Sequence, residues 1–153
     1  MLKEKEKISP VMLTLLCTVT YFVSYITRLN YGAVLLEMQN ATGFTNEQLS
    51  LAVTGLSVFY GCGQLISGFL GDRISPRYLI SAGLLTTTLM NGLLPFCPSI
   101  PLITAVWCVN GLAQAMMWPP IVKILSASLS AETYKKACVK VCYGSTLGTI
   151  AVY

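Results

Sequence analysis

Polar residues in this chain are gathered into short clusters that punctuate long apolar runs. The runs cover approximately residues 11–36, 47–71, 78–96, 102–129 and 137–153. At 1.5 Å per helical residue, each is of the length that crosses a hydrocarbon layer of about 30 Å. The starts carry helix signals. Ser9-Pro10 and Ser75-Pro76 each offer a capping hydroxyl followed by a proline at the first helical position. Thr45 and Gln48 have capping-box spacing at the end of a polar loop, Glu37–Asn46. Pro119-Pro120 lies inside the fourth run, where lost backbone hydrogen bonds predict a kink. The pattern predicts an all-α, polytopic transmembrane bundle of about five helices.

Composition narrows the class. The chain is 54% hydrophobic and 10% charged, with a mean hydropathy of +0.67, which leaves too few polar side chains to cover a soluble globule. The net charge of +4 forms no stripe beside stacking aromatics, so no nucleic-acid partner is expected. Lys3, Lys5, Lys7, Arg73, Arg77, Lys135, Lys136 and Lys140 instead fall on one side of the alternating spans. The positive-inside rule makes that side the cytoplasm, so a multi-pass protein of the cell membrane with a cytoplasmic N-terminus is expected. Lys3, Lys5 and Lys7 before an apolar run imitate a signal peptide, but the run is too long for a signal core and lacks a small-residue cleavage pattern. The six cysteines lie in or beside apolar segments and His is absent; they read as small apolar fillers, with no metal site and no cofactor. Without His, a nucleophile–base pair or paired intramembrane carboxylates, no enzyme is expected. The chain stops inside an apolar run, which suggests a fragment.

Arg28 is the most informative residue, because a guanidinium inside a span costs about 2.5–3.5 kcal/mol even on lenient insertion scales. On a helical wheel it shares a face with Thr14, Cys17, Thr18, Tyr21, Ser24, Tyr25 and Gly32, opposite Leu15, Val19, Phe22, Val23, Ile26 and Leu29. One reading is an anion site, since the planar fork matches phosphate or carboxylate oxygens. The other is snorkelling to the outer interface, or pairing with an acid elsewhere. Lys123 is a second intramembrane cation, open to substrate contact or to a structural or gating role; the kink could aim it toward the face of Asn110, Gln114 and Met117. Gln64 could line a cavity. Gly63, Ser67 and Gly71, and again Gly144 and Gly148, have the small-xxx-small spacing that lets helices pack closely.

Gly68-Phe69-Leu70-Gly71-Asp72-Arg73-Ile74-Ser75-Pro76-Arg77 resembles the signature turn between the second and third helices of major facilitator superfamily transporters. Gly68, Leu70, Asp72, Arg73 and Arg77 agree with it, whereas Ser75 and Pro76 depart. Tyr25-Ile26-Thr27-Arg28-Leu29-Asn30 and the segment Asn110–Pro120 resemble the organophosphate:phosphate antiporter branch. The resemblance implies about five helices of a twelve-helix fold, a site between two bundles and alternating access by rocking. It implies that Arg28 binds phosphate with an arginine of a seventh helix, and that a basic residue of some members aligns with Gln64. It further implies that Asp72 meets a helix end of a second half while Arg73 and Arg77 hold the cytoplasmic gate.

The resulting expectation is a secondary transporter of a small organic anion, a phosphorylated metabolite, exchanged for inorganic phosphate or coupled to a proton. Its other partners are the lipid bilayer and a missing C-terminal half. The substrate-contacting set would be Arg28, Tyr25, Gln64, Gln114 and Lys123. The rivals are a hexuronate- or sialate-type carboxylate symporter of the same superfamily, and a non-transporting membrane subunit that packs through its glycine faces.

Overall fold

The computed structural model describes residues 8–153; the basic residues Lys3, Lys5 and Lys7 lie outside this range. Seven α-helices follow one another: α1 Pro10–Ala33, α2 Leu35–Thr42, α3 Asn46–Arg73, α4 Pro76–Leu93, α5 Ile100–Ala115, α6 Trp118–Ser128 and α7 Ala131–Val152. A 3-10 turn, Leu94–Phe96, extends α4. Among the described residues four segments are long and apolar enough to cross a membrane: Pro10–Ala33, Asn46–Arg73, Pro76–Phe96 and Ile100–Ser128, the last made of α5 and α6. The 22-residue α7 is long enough, but Lys135, Lys136 and Lys140 in its first half lower its hydropathy.

The helix ends follow local chemistry. Ser9 accepts from the Met12 amide at 3.2 Å, and Thr45 and Gln48 form a reciprocal capping box at 3.3 and 3.0 Å. Ser75 precedes Pro76 at the start of α4, but its side chain makes no capping bond. The proline's fixed φ alone marks this start. In the fourth span neither Pro119 nor Pro120 can donate a backbone hydrogen bond. The helix therefore ends at Ala115, two i−3 bonds tighten Met116 and Met117, and α6 restarts with both prolines in its first turn.

Three boundaries differ from the hydrophobic pattern. The first helix breaks at Val34 rather than running to Leu36. The polar segment 37–46 is helical through Thr42, because Leu35, Met38 and the following Phe44 pack on a buried cluster of Tyr31, Leu49, Ala52, Leu56, Ile103 and Trp107. Gly43, at φ 72°, ends α2 in the left-handed region. The charged segment 130–136 is the start of α7, with Glu132 and Lys136 paired at 2.6 Å on an exposed turn. Such a pair contributes about 0.5 kcal/mol or less.

The α5–α6 span is central: 50% of it is buried, against 17–22% for the other three. α3 and α4 pack along it and α7 packs along α1, closing a second cluster of Cys17, Ile121, Leu125, Ala137 and Val141. Small residues set several of the close approaches. A Cβ on Gly63 would lie 2.7 Å from that of Ala115, and one on Gly111 would strike the Leu56 backbone. One on Gly83 would lie 2.7 Å from the Ala113 carbonyl oxygen. On α7, Gly144 and Gly148 face the Thr18 and Phe22 carbonyl oxygens at 2.6 and 2.8 Å from such a Cβ. Large apolar side chains, among them Val11, Leu15, Leu65, Phe69, Leu85 and Ile150, cover the outside. An apolar exterior around a core that carries Asn110 and Gln114 suits lipid as the solvent.

Candidate functional site

Two aromatic rings flank Arg28, one of them that of the predicted Tyr25. Its guanidinium carbon lies 4.1 Å from the ring centroid of Tyr60 on α3 and 6.0 Å from that of Tyr25, one turn earlier on α1. Tyr25 stands edge-on to Tyr21 at 5.1 Å, and Tyr21 stacks on Trp118 at 5.2 Å. Arg28 makes no ion pair or hydrogen bond among the described residues, and no acid on α3–α7 approaches it. The guanidinium thus folds over an α3 ring instead of reaching along its own helix toward the end. A cation over an aromatic face gains about 1 kcal/mol when half-buried, as Arg28 is, and up to about 2 kcal/mol when fully desolvated. That offsets part of the insertion cost while leaving the N–H edge of the fork without a hydrogen bond among the described residues.

A cavity of about 170 Å³ opens beside this residue, lined by Arg28, Tyr31, Ser57, Trp107 and Tyr153 among others. Its walls come from α1, α3, α5 and the end of α7. Tyr31 and Trp107 stack at 4.8 Å, and the Tyr31 hydroxyl donates to the Leu49 carbonyl at 2.9 Å, so this side is rigid. Gln64 follows Tyr60 by one turn of α3, with its amide nitrogen buried and unpartnered among the described residues. A permanent cation, aromatic walls and polar edges form a setting for a small anion with an apolar portion.

Gln114 is placed differently from a cavity-lining residue. It is buried, its Oε1 accepts from Ser24 Oγ at 2.5 Å, and its Nε2 donates to Thr27 Oγ1 at 3.1 Å and Thr87 Oγ1 at 2.9 Å. Thr87 donates onward to Asn110. Asn91 donates to the Thr27 and Thr87 carbonyls at 3.0 and 2.8 Å and accepts from Asn30 at 2.6 Å. Thr27, Asn30, Thr87 and Asn91 escaped the sequence reading. Their signal was polar residues three or four apart at matching depth in three spans.

Lys123 does not join Arg28. Its Nζ donates to the Gly71 carbonyl at 2.5 Å and to Asp72 Oδ1 at 3.0 Å, some 17 Å along α3 from Tyr60 at 1.5 Å per residue. The break before α6 turns it toward the end of α3, where a carbonyl lacks an intrahelical partner. Gly71 is correspondingly not a close-packing glycine, since a Cβ there would meet nothing within 4 Å, and the same holds for Gly68. Ser67 is buried with its hydroxyl unpartnered among the described residues. Arg73 lies over Phe69 at 4.3 Å. Arg77 lines a separate crevice of about 1100 Å³ with Ser9, Ser128 and the apolar Leu13, Ile80 and Ile124. The start of α1, the start of α4 and the end of α6 therefore share one end of the bundle.

The chain is thus a bundle of helices with four segments long and apolar enough to span a membrane, and it carries a cation over an aromatic wall that is unpaired among the described residues. The sequence pattern of the Major Facilitator Superfamily matches residues 17–152, and the chain belongs to that family. It is 30% identical over 106 residues to a protein named a probable hexose phosphate transport protein from Chlamydia muridarum, covering 69% of this chain and 23% of that one. It is 31% identical over 100 residues to a glycerol-3-phosphate transporter of Bacillus subtilis, covering 63% and 22%. A membrane sensor protein, UhpC, of Salmonella typhimurium is 28% identical over 107 residues, covering 70% and 24%. The chain spans less than a quarter of the length of these relatives. No solved structure matches it.

Proposed function

We propose that the chain supplies one wall of the solute site in a secondary transporter of phosphorylated small metabolites working by alternating access. The observation that carries this is Arg28, unpaired among the described residues and held over Tyr60 beside a small cavity. Two of the relatives are named for phosphate monoesters, hexose phosphate and glycerol 3-phosphate. A phosphate oxygen pair matches the free edge of a guanidinium. Tyr25 and Gln64 are the neighbours proposed to complete the contact. At about 4 Å and an effective dielectric near 20, the cation attracts each unit of anionic charge by about 4 kcal/mol, enough to select anions before shape is considered.

The turn at Gly68, Asp72, Arg73 and Arg77 is proposed to serve the gate, with Lys123 joined to it through Asp72. α7 is proposed as a fifth span, and the end bearing Arg73, Arg77 and Lys135 as the cytoplasmic one, with the protein in the cell membrane. The likeness to a sensor supports a second reading in which the same anion is detected rather than moved; binding without solute flux would favour it.

The test is substitution. Arg28→Ala and Arg28→Lys in the whole protein are expected to abolish exchange of inorganic phosphate for glucose 6-phosphate without preventing membrane insertion. Normal exchange by both variants overturns the assignment.

A further inference from the structure

The residues that tie α1 to α4 and α5 lie immediately behind Arg28. Ser24, Thr27 and Asn30 share one face of α1 at a spacing of three, and Arg28 follows Thr27 by one position. Two of these three meet Gln114, and Asn30 meets Asn91. Both amide hydrogens and the carbonyl oxygen of Gln114 are engaged with protein groups. Nothing on its amide nitrogen is left to offer a solute. The bonds of Gln114 to Ser24 and Thr87 are buried, and buried bonds are costly to leave unmade. Together they fix both the rotation and the height of α1 at the level of the guanidinium. The α3 side of the Arg28–Tyr60 contact is held separately, through Gly63 and Gly111 against α5. α5 is thus the common reference for both partners of the contact.

We infer that Gln114 is a positioning residue, which sets the guanidinium of Arg28 over Tyr60 by clamping the Ser24–Thr27 turn and does not itself touch the anion. This rests on the reading of Arg28 as the anion ligand, but its test has a readout of its own.

The full chain in lipid nanodiscs, labelled with ¹⁵N-arginine, reports the Arg28 Nε–Hε resonance, which the Tyr60 ring current displaces. Tyr60→Leu defines its position without the ring. Gln114→Ala is expected to move the resonance toward that position and to weaken binding of inorganic phosphate by about tenfold, the order of one lost hydrogen bond. Gln114→Met fills the same space without the amide and is expected to behave alike, so the test survives if the alanine variant does not fold. Leu125→Ala, a core truncation in α6 remote from Arg28, is expected to leave the resonance in place. In the Arg28→Ala background, Gln114→Met should cost no further affinity. An unmoved resonance in Gln114→Met, or losses that multiply in the double variant, overturns the inference. Phosphate binding that survives Arg28→Ala instead overturns the anion reading, while the resonance still decides the positioning role.

Discussion

The clearest physical test of the packing is one substitution made at three glycines. Gly111→Ala places a methyl group against the Leu56 backbone, which cannot rotate aside. Carbon atoms in contact sit about 3.5–4.0 Å apart, so α3 and α5 must separate by about 1 Å. A gap of that size forfeits a quarter to a half of the dispersion between facing atoms. The pair buries Leu49, Ala52, Leu56, Ile103 and Trp107 between them, so the loss is about 3 kcal/mol, at the upper end for overpacking. Gly55→Ala meets the Cys108 thiol at 2.7 Å, a side chain able to turn, and should change stability by about 1 kcal/mol or less. Gly61→Ala meets nothing within 4 Å and should stabilise the helix by about 0.5–1 kcal/mol through its backbone entropy. Reversible unfolding in mixed micelles of rising SDS fraction, followed by helicity, measures all three. Equal shifts for Gly111→Ala and Gly61→Ala would refute the reasoning, since it assigns them opposite signs.

Other consequences concern the two cations and the helix ends. Lys123→Met removes a partly exposed pair, so it should cost about 1 kcal/mol or less but speed amide exchange in the last turn of α3. An affinity loss as large as that of Arg28→Ala would instead put Lys123 at the solute site. Tyr60→Leu removes the cation–π contact and should lower the affinity for phosphate several-fold, about the factor expected for 1 kcal/mol; unchanged affinity would show that the ring does not hold the guanidinium. Thr45→Ala breaks the capping box and should cost about 1 kcal/mol, read as faster exchange of the Gln48 amide, whereas Ser75→Ala, with no capping bond to lose, should change little.

Much of the architecture was legible because membrane helices announce themselves through length and composition. Capping at Ser9 and at Thr45–Gln48 could be read directly, as these are bonds between near neighbours. The helix α2 could not, since its anchoring residues Leu35, Met38 and Phe44 matter only through the cluster on α3 and α5. Face arguments put Arg28 and Tyr25 on one face of α1, yet they counted Gln114 among the residues open to a solute, whereas its amide is engaged by Ser24, Thr27 and Thr87. A wheel shows where a side chain points but not whether another helix has already taken its hydrogen bonds. Lys123 stayed open between substrate contact and a structural or gating role for a related reason: the double proline changes the direction of everything after Met117, and the angle of a helix break is not written in the residues that cause it. The small-residue spacing of Gly63, Ser67 and Gly71 looked uniform, although α5 lies beside the first and Lys123 reaches for the carbonyl of the last.

The central claim is that a guanidinium within the bundle is available to a negative solute. Isothermal titration of the whole protein in nanodiscs with glucose 6-phosphate, with glucose as the uncharged control, measures this most directly. The account predicts saturable binding of the phosphate ester alone, weakened about tenfold by Arg28→Lys, which keeps the charge but not the fork, and about a hundredfold or more by Arg28→Ala. Equal affinities for the parent chain and Arg28→Ala, or equal binding of glucose and its phosphate, would contradict it.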